Sequence, residues 1–263
     1  MKYLLIGLLL TWQIALAEPN PFPEVAQAYL VQVNGNTLWQ KQSDRRLPPA
    51  SLTKLMTALL VVESLPLDSL VSISQAAAAE TGSRLALKVN SRFSVESLLK
   101  AALLNSANDA CHALADHMAG SEAAFVSLMN QHAQKMGLQN THFQNACGHD
   151  AENHYSSAED LAKLASQALA NPFIRSVTSQ PAATITSADK KYRYQLVNGN
   201  ALVGRYAGVS GLKTGYTDKA GKCLIAYASR EQKRVLLVML NAPNRWWDAM
   251  DILDLAFKHV SDQ

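Results

Sequence analysis

Cysteine is scarce: Cys111, Cys147 and Cys223 are the three in 263 residues, and no two form a C-x-x-C pair. That excludes a cysteine-built zinc site and a disulfide framework. Buried thiols are the reading this spacing favours; in an oxidising compartment one pair could bond, and the spacing does not select which. An excess of one charge is lacking too. The 24 Lys and Arg nearly balance the 21 Asp and Glu, for a net charge of +3, and the basic residues are dispersed. A groove that binds nucleic acid by counterion release is therefore not expected. With 12 Gly and 9 Pro, collagen-like and disordered classes are excluded. Repeats, low-complexity tracts and linkers between independent domains are absent as well. What remains is 48% hydrophobic residues, enough for one substantial core.

The N terminus reads as an export leader. Lys2 supplies the positive end, Leu4 to Ile14 the apolar stretch and Ala15-Leu16-Ala17 an A-x-A site, so cleavage is expected after Ala17. The apolar stretch falls well short of the roughly 20 residues of a spanning helix, and no later segment approaches that length. The expectation is a signal peptide over 1–17 and an exported catalytic chain over 18–263.

Ala26 to Val33 and Thr37 to Lys41 flank Asn34-Gly35-Asn36, the pattern of a β-hairpin. Helical periodicity begins at Ser51. Val95, Leu98, Leu99, Ala102 and Leu103 lie on one face behind a candidate cap, Ser94. A similar stripe, Phe125, Leu128, Met129, His132 and Met136, follows Ser121 and stops at Gly137. Ser156 to Glu159 fits a capping box. Lys222 to Ser229 and Arg234 to Leu240 are β-rich around a short turn, and Trp246, Met250, Leu253 and Phe257 mark a closing amphipathic helix. Strands at both ends with helices between predict an α+β fold, an antiparallel sheet carrying helices with a helical subdomain beside it.

Three short motifs carry the chemistry. Ser51-Leu52-Thr53-Lys54 follows Pro48-Pro49 at the start of a helical run. Residues three apart project from one helix face, which brings an amine to a hydroxyl. The pattern alone is weak, because Ser97/Lys100, Ser187/Lys190 and Ser210/Lys213 match it as well; the first of these lies off the apolar stripe and the second in a polar loop. A lysine near pKa ~10.4 is a poor base at neutrality, so burial or a second cation must lower it. Lys213-Thr214-Gly215, which occurs once, offers that cation, a hydroxyl and a glycine that lets a backbone approach closely. Ser106-Ala107-Asn108 also occurs once and interrupts a helical pattern, placing a hydroxyl and an amide on a connecting loop.

In order and spacing, these motifs resemble the low-molecular-mass penicillin-binding proteins, the serine-type D-alanyl-D-alanine carboxypeptidases. The likeness extends to Leu47-Pro48-Pro49-Ala50, Asn105 to Ala110, His154 to Asp160 and Gly211 to Gly221. It implies a β-lactamase/transpeptidase-like fold with the active site between sheet and helical subdomain. It implies peptidoglycan stem peptides as substrate, β-lactams as inhibitors, and no cofactor or metal. On matching positions, Ser51 becomes the nucleophile, Lys54 the base, Ser106 a proton relay and Asn108 a substrate contact. Lys213, Thr214 and Gly215 become the carboxylate end of the site, and the backbone N–H of Tyr216 joins that of Ser51 in an oxyanion hole. Ala107 departs from the Gly of many relatives. Larger relatives append a β-rich domain and an amphipathic anchor, whereas this chain ends after its closing helix, so membrane attachment is not expected.

Rival readings remain. A D-alanyl endopeptidase would share every motif. A class A β-lactamase needs a carboxylate for deacylation; Glu152 and Glu159 lie in the right interval but lack that family's Glu-x-x-x-Asn pattern. A non-enzymatic antibiotic sensor would keep the pocket without turnover. His142, His149 and His154, spaced seven and five apart, do not share a helical face and make a poor metal set.

Overall fold

The computed structural model describes residues 20–259; the expected leader and its cleavage site lie outside them. The chain opens with strands β1 (Ala28–Val33) and β2 (Asn36–Lys41), joined at Asn34-Gly35. Both turn residues have positive φ, 51° and 89°, the backbone that matches the twist of a tight hairpin. Asn36 belongs to the strand, which leaves a two-residue turn where the sequence suggested three.

A 3₁₀ turn, Ala50–Thr53, runs straight into α1 (Lys54–Ser64). A short strand β3 (Leu70–Ser72), the single turn α2 (Gln75–Ala78) and strand β4 (Arg92–Ser94) lead to α3 (Val95–Leu104). Then come α4 (Asn108–Ala119), α5 (Glu122–Lys135), α6 (Ala158–Ala170) and α7 (Pro172–Thr178). The small hairpin of β5 (Ala182–Thr186) and β6 (Arg193–Val197) follows, and the chain closes with β7 (Val209–Thr217), β8 (Gly221–Arg230), β9 (Lys233–Leu240) and α8 (Arg245–His259).

Five strands make one antiparallel sheet in the order β2-β1-β9-β8-β7. Its centre joins the two ends of the chain, β1 to β9. Alternation along these strands divides the core into two. Ala28, Leu30, Ile225, Leu236, Val238 and Leu240 face the helical body with α1, α3, α4 and α6. Tyr29, Val31, Leu224, Leu237 and Met239 face the other way, against Ile252 and Leu253 of α8. Among the described residues, no helix is long and apolar enough to cross a membrane.

Ser94 and Ser121 cap α3 and α5 as expected, each side chain accepting from a backbone N–H three residues on. The cap of α6 is Ser157, which accepts from Asp160 N, rather than Ser156. The one-residue displacement has a cause: the Asp160 carboxylate turns inward to accept from Asn140 N and Thr141 Oγ1, while Glu159 points to solvent and pairs with Lys163. The three-residue strands β3 and β4 were invisible in the sequence because so short a run has no periodicity to read.

Candidate active site

The nucleophile candidate stands ahead of α1, not inside it. Ser51 lies in the 3₁₀ turn, and Lys54 is the first residue of α1. In a 3₁₀ turn residues three apart eclipse, so the amine sits directly over the hydroxyl, with Lys54 Nζ 3.0 Å from Ser51 Oγ. Two neighbours press this turn into shape. Ala50 is held at φ 48°, and Gly148 lies so close that a Cβ there would come within 2.0 Å of the Ala50 carbonyl oxygen. Gly215 lies against the same turn: its Cβ would be 3.1 Å from Ser51 N.

Lys54 is fully buried. Besides Ser51, its Nζ reaches Asn108 Oδ1 at 2.7 Å and the Cys147 carbonyl at 2.6 Å. Asn108 donates its other end to Thr81 O at 2.6 Å, which fixes the amide with its oxygen toward the amine. Burial drives the Lys54 ammonium well below the ordinary lysine range, and the charge of Lys213 pushes further the same way; Glu80 and Asp109 oppose it.

Ser106 occupies the break between α3 and α4 at φ 57°. Its Oγ accepts from Lys213 Nζ at 3.0 Å, and the same amine donates to Thr214 O at 2.9 Å. Lys213 is 2% exposed. Burial, with the nearby Arg245 guanidinium, lowers its pKa to about 7. Lys213, Thr214 and Gly215 sit inside β7, which among the described residues pairs only with β8, at the edge of the sheet. Tyr216 continues that strand and is 60% exposed.

The structure thus brings Ser51, Lys54, Ser106, Asn108, Lys213 and Gly215 together between the edge of the sheet and the helical body. Asn108 differs from its sequence reading in one respect, because both ends of its amide already have protein partners, one of them Lys54. Of the other Ser-x-x-Lys matches, only Ser210/Lys213 contributes a residue to the site, Lys213. Lys100 pairs with Glu96, Ser187 and Lys190 close the turn between β5 and β6, and Ser210 lies on β7. Glu152 and Glu159 are both exposed. His142, His149 and His154 engage separate partners: the Asn153 carbonyl, Glu80 and Thr53. Buried His154 accepts from Gln144 N at Nδ1, so its proton lies on Nε2 toward Thr53, and burial pushes its pKa down to about 4.

Three features escaped the sequence reading. Cys111 and Cys147 are disulfide-bonded and buried, with Cα atoms 5.9 Å apart; this corrects the expectation of free buried thiols, which holds for Cys223 alone. Thirty-six residues separate the pair, so proximity came from packing and no local signal could show it. Arg245, at the start of α8, donates to the carbonyls of Gly215 at 2.8 Å and Cys223 at 3.1 Å and stacks on Trp246. Glu80 is held between His112 (2.6 Å) and His149 (2.8 Å), which draw its pKa down to about 2 against the effect of burial.

A family model described as D-alanyl-D-alanine carboxypeptidase matches residues 18–244. The D-alanyl-D-alanine carboxypeptidase DacF of Bacillus subtilis is 38% identical over 89% of this chain and 62% of its own length; the chain therefore spans about three fifths of that relative. A D-alanyl-D-alanine endopeptidase of Pseudomonas aeruginosa is 33% identical over 80% of the chain and 69% of its own. Among solved structures, a Streptomyces DD-transpeptidase superimposes with a TM-score of 0.84 at 32% identity, covering 91% of this chain and 99% of that one. A penicillin-binding protein of Listeria monocytogenes, solved with ampicillin bound, gives 0.79 at 33% identity, covering 91% and 100%. The α+β architecture is that of the DD-peptidases and transpeptidases.

Proposed function

The chain belongs to the D-alanyl-D-alanine carboxypeptidase family, and on that premise we propose that it is an exported serine acyl-hydrolase that removes the terminal D-Ala from peptidoglycan pentapeptides. Export is supported by the leader pattern over 1–17 and by a family match that begins at residue 18. One observation carries the chemistry: a buried amine whose three neighbours suit its neutral form. A neutral amine has two N–H groups and one lone pair. Asn108 Oδ1 and the Cys147 carbonyl can only accept, so they take the two protons. The lone pair is left facing Ser51 Oγ, ready to receive its hydrogen.

Ser51 then attacks the penultimate carbonyl. The developing oxyanion is stabilised by the backbone N–H groups of Ser51 and of Tyr216, the residue after Gly215, which itself lies against Ser51 N. Ser106, tethered to Lys213, returns a proton to the leaving amine of D-Ala. Lys213, with Arg245 nearby, supplies positive charge for the terminal carboxylate, and Thr214 supplies a hydroxyl. The free edge of β7 offers main-chain partners to an extended peptide. Water clears the acyl-enzyme. A β-lactam acylates the same hydroxyl, and the ampicillin-bound Listeria relative supports that expectation.

The endopeptidase relative favours a second reading, cleavage of D-alanyl cross-links by the same residues. Purified protein given a linear pentapeptide and a cross-linked muropeptide decides between them: release of free D-Ala alone marks the carboxypeptidase, splitting of the dimer the endopeptidase. For the chemistry itself, mass spectrometry after penicillin should find one adduct, mapped to Ser51. Ser51→Ala should abolish labelling by fluorescent penicillin, and undiminished labelling would put the nucleophile elsewhere.

A further inference from the structure

Between α5 and α6 runs the stretch 136–157, which contains no helix or strand, and such stretches are where a chain holds its shape least firmly. Its middle turn, 145–149, nonetheless touches the reactive centre twice. The Cys147 carbonyl accepts from Lys54 Nζ at 2.6 Å, and Gly148 lies against the Ala50 carbonyl next to Ser51. A local tie shapes the turn, Asn145 Oδ1 accepting from the N–H groups of Gly148 and His149, and Thr57 Oγ1 of α1 donates to Ala146 O. None of these ties it to α4, the helix whose first residue, Asn108, is the other acceptor on Lys54. Two links do: directly, the bond from Cys147 to Cys111, one helical turn beyond Asn108, and indirectly Glu80, which bridges His149 of the turn to His112 of α4.

We propose that the Cys111–Cys147 disulfide is a positioning cross-link of the active site, clamping the turn that carries the Cys147 carbonyl to the start of α4 and so fixing both acceptors that hold the Lys54 amine beside Ser51. The inference rests on the reading of Ser51 and Lys54 as nucleophile and base. The charged groups facing that amine are Lys213 from β7, Asp109 from α4 and Glu80 from the segment after α2, and none of the three is carried by the turn 145–149 itself. What changes is the dryness and geometry around Nζ. Water admitted there favours the ammonium form, so the base is lost at a higher pH than in the clamped enzyme.

The test uses the full chain. Alkylation of denatured, unreduced protein should modify one thiol, Cys223; three modified thiols would overturn the proposal at once. The double variant C111A/C147A should remain folded by circular dichroism. Its acylation by fluorescent penicillin at neutral pH should fall about ten- to a hundredfold, with the acid limb of the pH–rate profile displaced to higher pH and rates converging on the parent at alkaline pH. A less stable variant whose rate and acid limb match the parent would assign the bond to stability alone and sink the proposal. If the variant does not fold, the parent chain refolded under reductant, with three titratable thiols, is assayed by the same criteria; failure of both to fold equally overturns a positioning role. Labelling of Ser51→Ala at the parental rate would instead refute the underlying assignment of the nucleophile.

Discussion

The two faces of the five-stranded sheet are equally dry but bury different chemistry. Toward α8 the interior is hydrocarbon: Val31, Leu224, Leu237, Met239, Ile252 and Leu253 are all fully buried. Toward the helical body the same depth of burial also holds Lys54, Asp109 and His154. Removing apolar surface from water stabilises the first region by roughly 25 cal/mol per Å². Removing ammonium and imidazolium groups from water costs free energy, and that cost lowers the pKa of Lys54 well below the ordinary lysine range and that of His154 to about 4. One region supplies the stability that the other spends on a reactive amine.

Substitutions at matched depth on the two faces should separate these roles. The largest effect is expected at Lys54. Lys54→Ala should slow acylation by roughly 10²- to 10⁴-fold, the usual worth of a positioned general base, in stopped-flow or time-course labelling with penicillin. Unfolding should be cooperative in both proteins; a rate within a few-fold of the parent would remove Lys54 from the reaction. On the α8 face the opposite outcome is expected. Ile252→Ala should cost about 2–5 kcal/mol in urea denaturation, while labelling per folded molecule stays at the parental rate. A loss of activity in the folded fraction would show that the faces are coupled.

Lys213→Met sharpens the comparison through pH. The pKa of Lys213 is lowered to about 7 from the ordinary 10.5, so between these values the unfolded chain binds a proton that the folded chain does not. In the parent, this group costs most at and below about pH 7, and the cost vanishes as pH rises through the unfolded value. The variant should therefore gain Tm over the parent near pH 6–7, with the gain shrinking toward pH 10, while turnover of the pentapeptide falls because the carboxylate has lost its cation. A pH-independent difference would contradict the stated cause. The smallest effect is expected far from the site: Gly35→Ala, at φ 89° with open space around it, should cost about 1 kcal/mol of stability and leave labelling unchanged.

Much of this was legible in the chain itself. Periodicity and capping signals placed α3, α5, α8 and the first hairpin, because side-chain direction and helix-end hydrogen bonds are local properties. Ser51 to Lys54 was readable for the same reason, since three residues of helical rise bring amine to hydroxyl whatever packs around them. The burial that lowers the Lys54 pKa and the hydrogen bonds that orient its amine were not local. The Cys147 carbonyl, the bond to Cys111, the Arg245 guanidinium and the Glu80 carboxylate between two imidazoles come from segments tens of residues apart. Backbone carbonyls moreover carry no residue-type signature at all.

The sequence by itself determined which groups could react, because hydroxyl, amine and glycine occur at spacings that short-range geometry makes meaningful. Only the tertiary structure decided how they behave. Pairing β1 with β9 and setting β7 against the helical body excludes water from two lysines, and the lowered pKa of a buried amine depends on that exclusion and on charges contributed by distant parts of the chain.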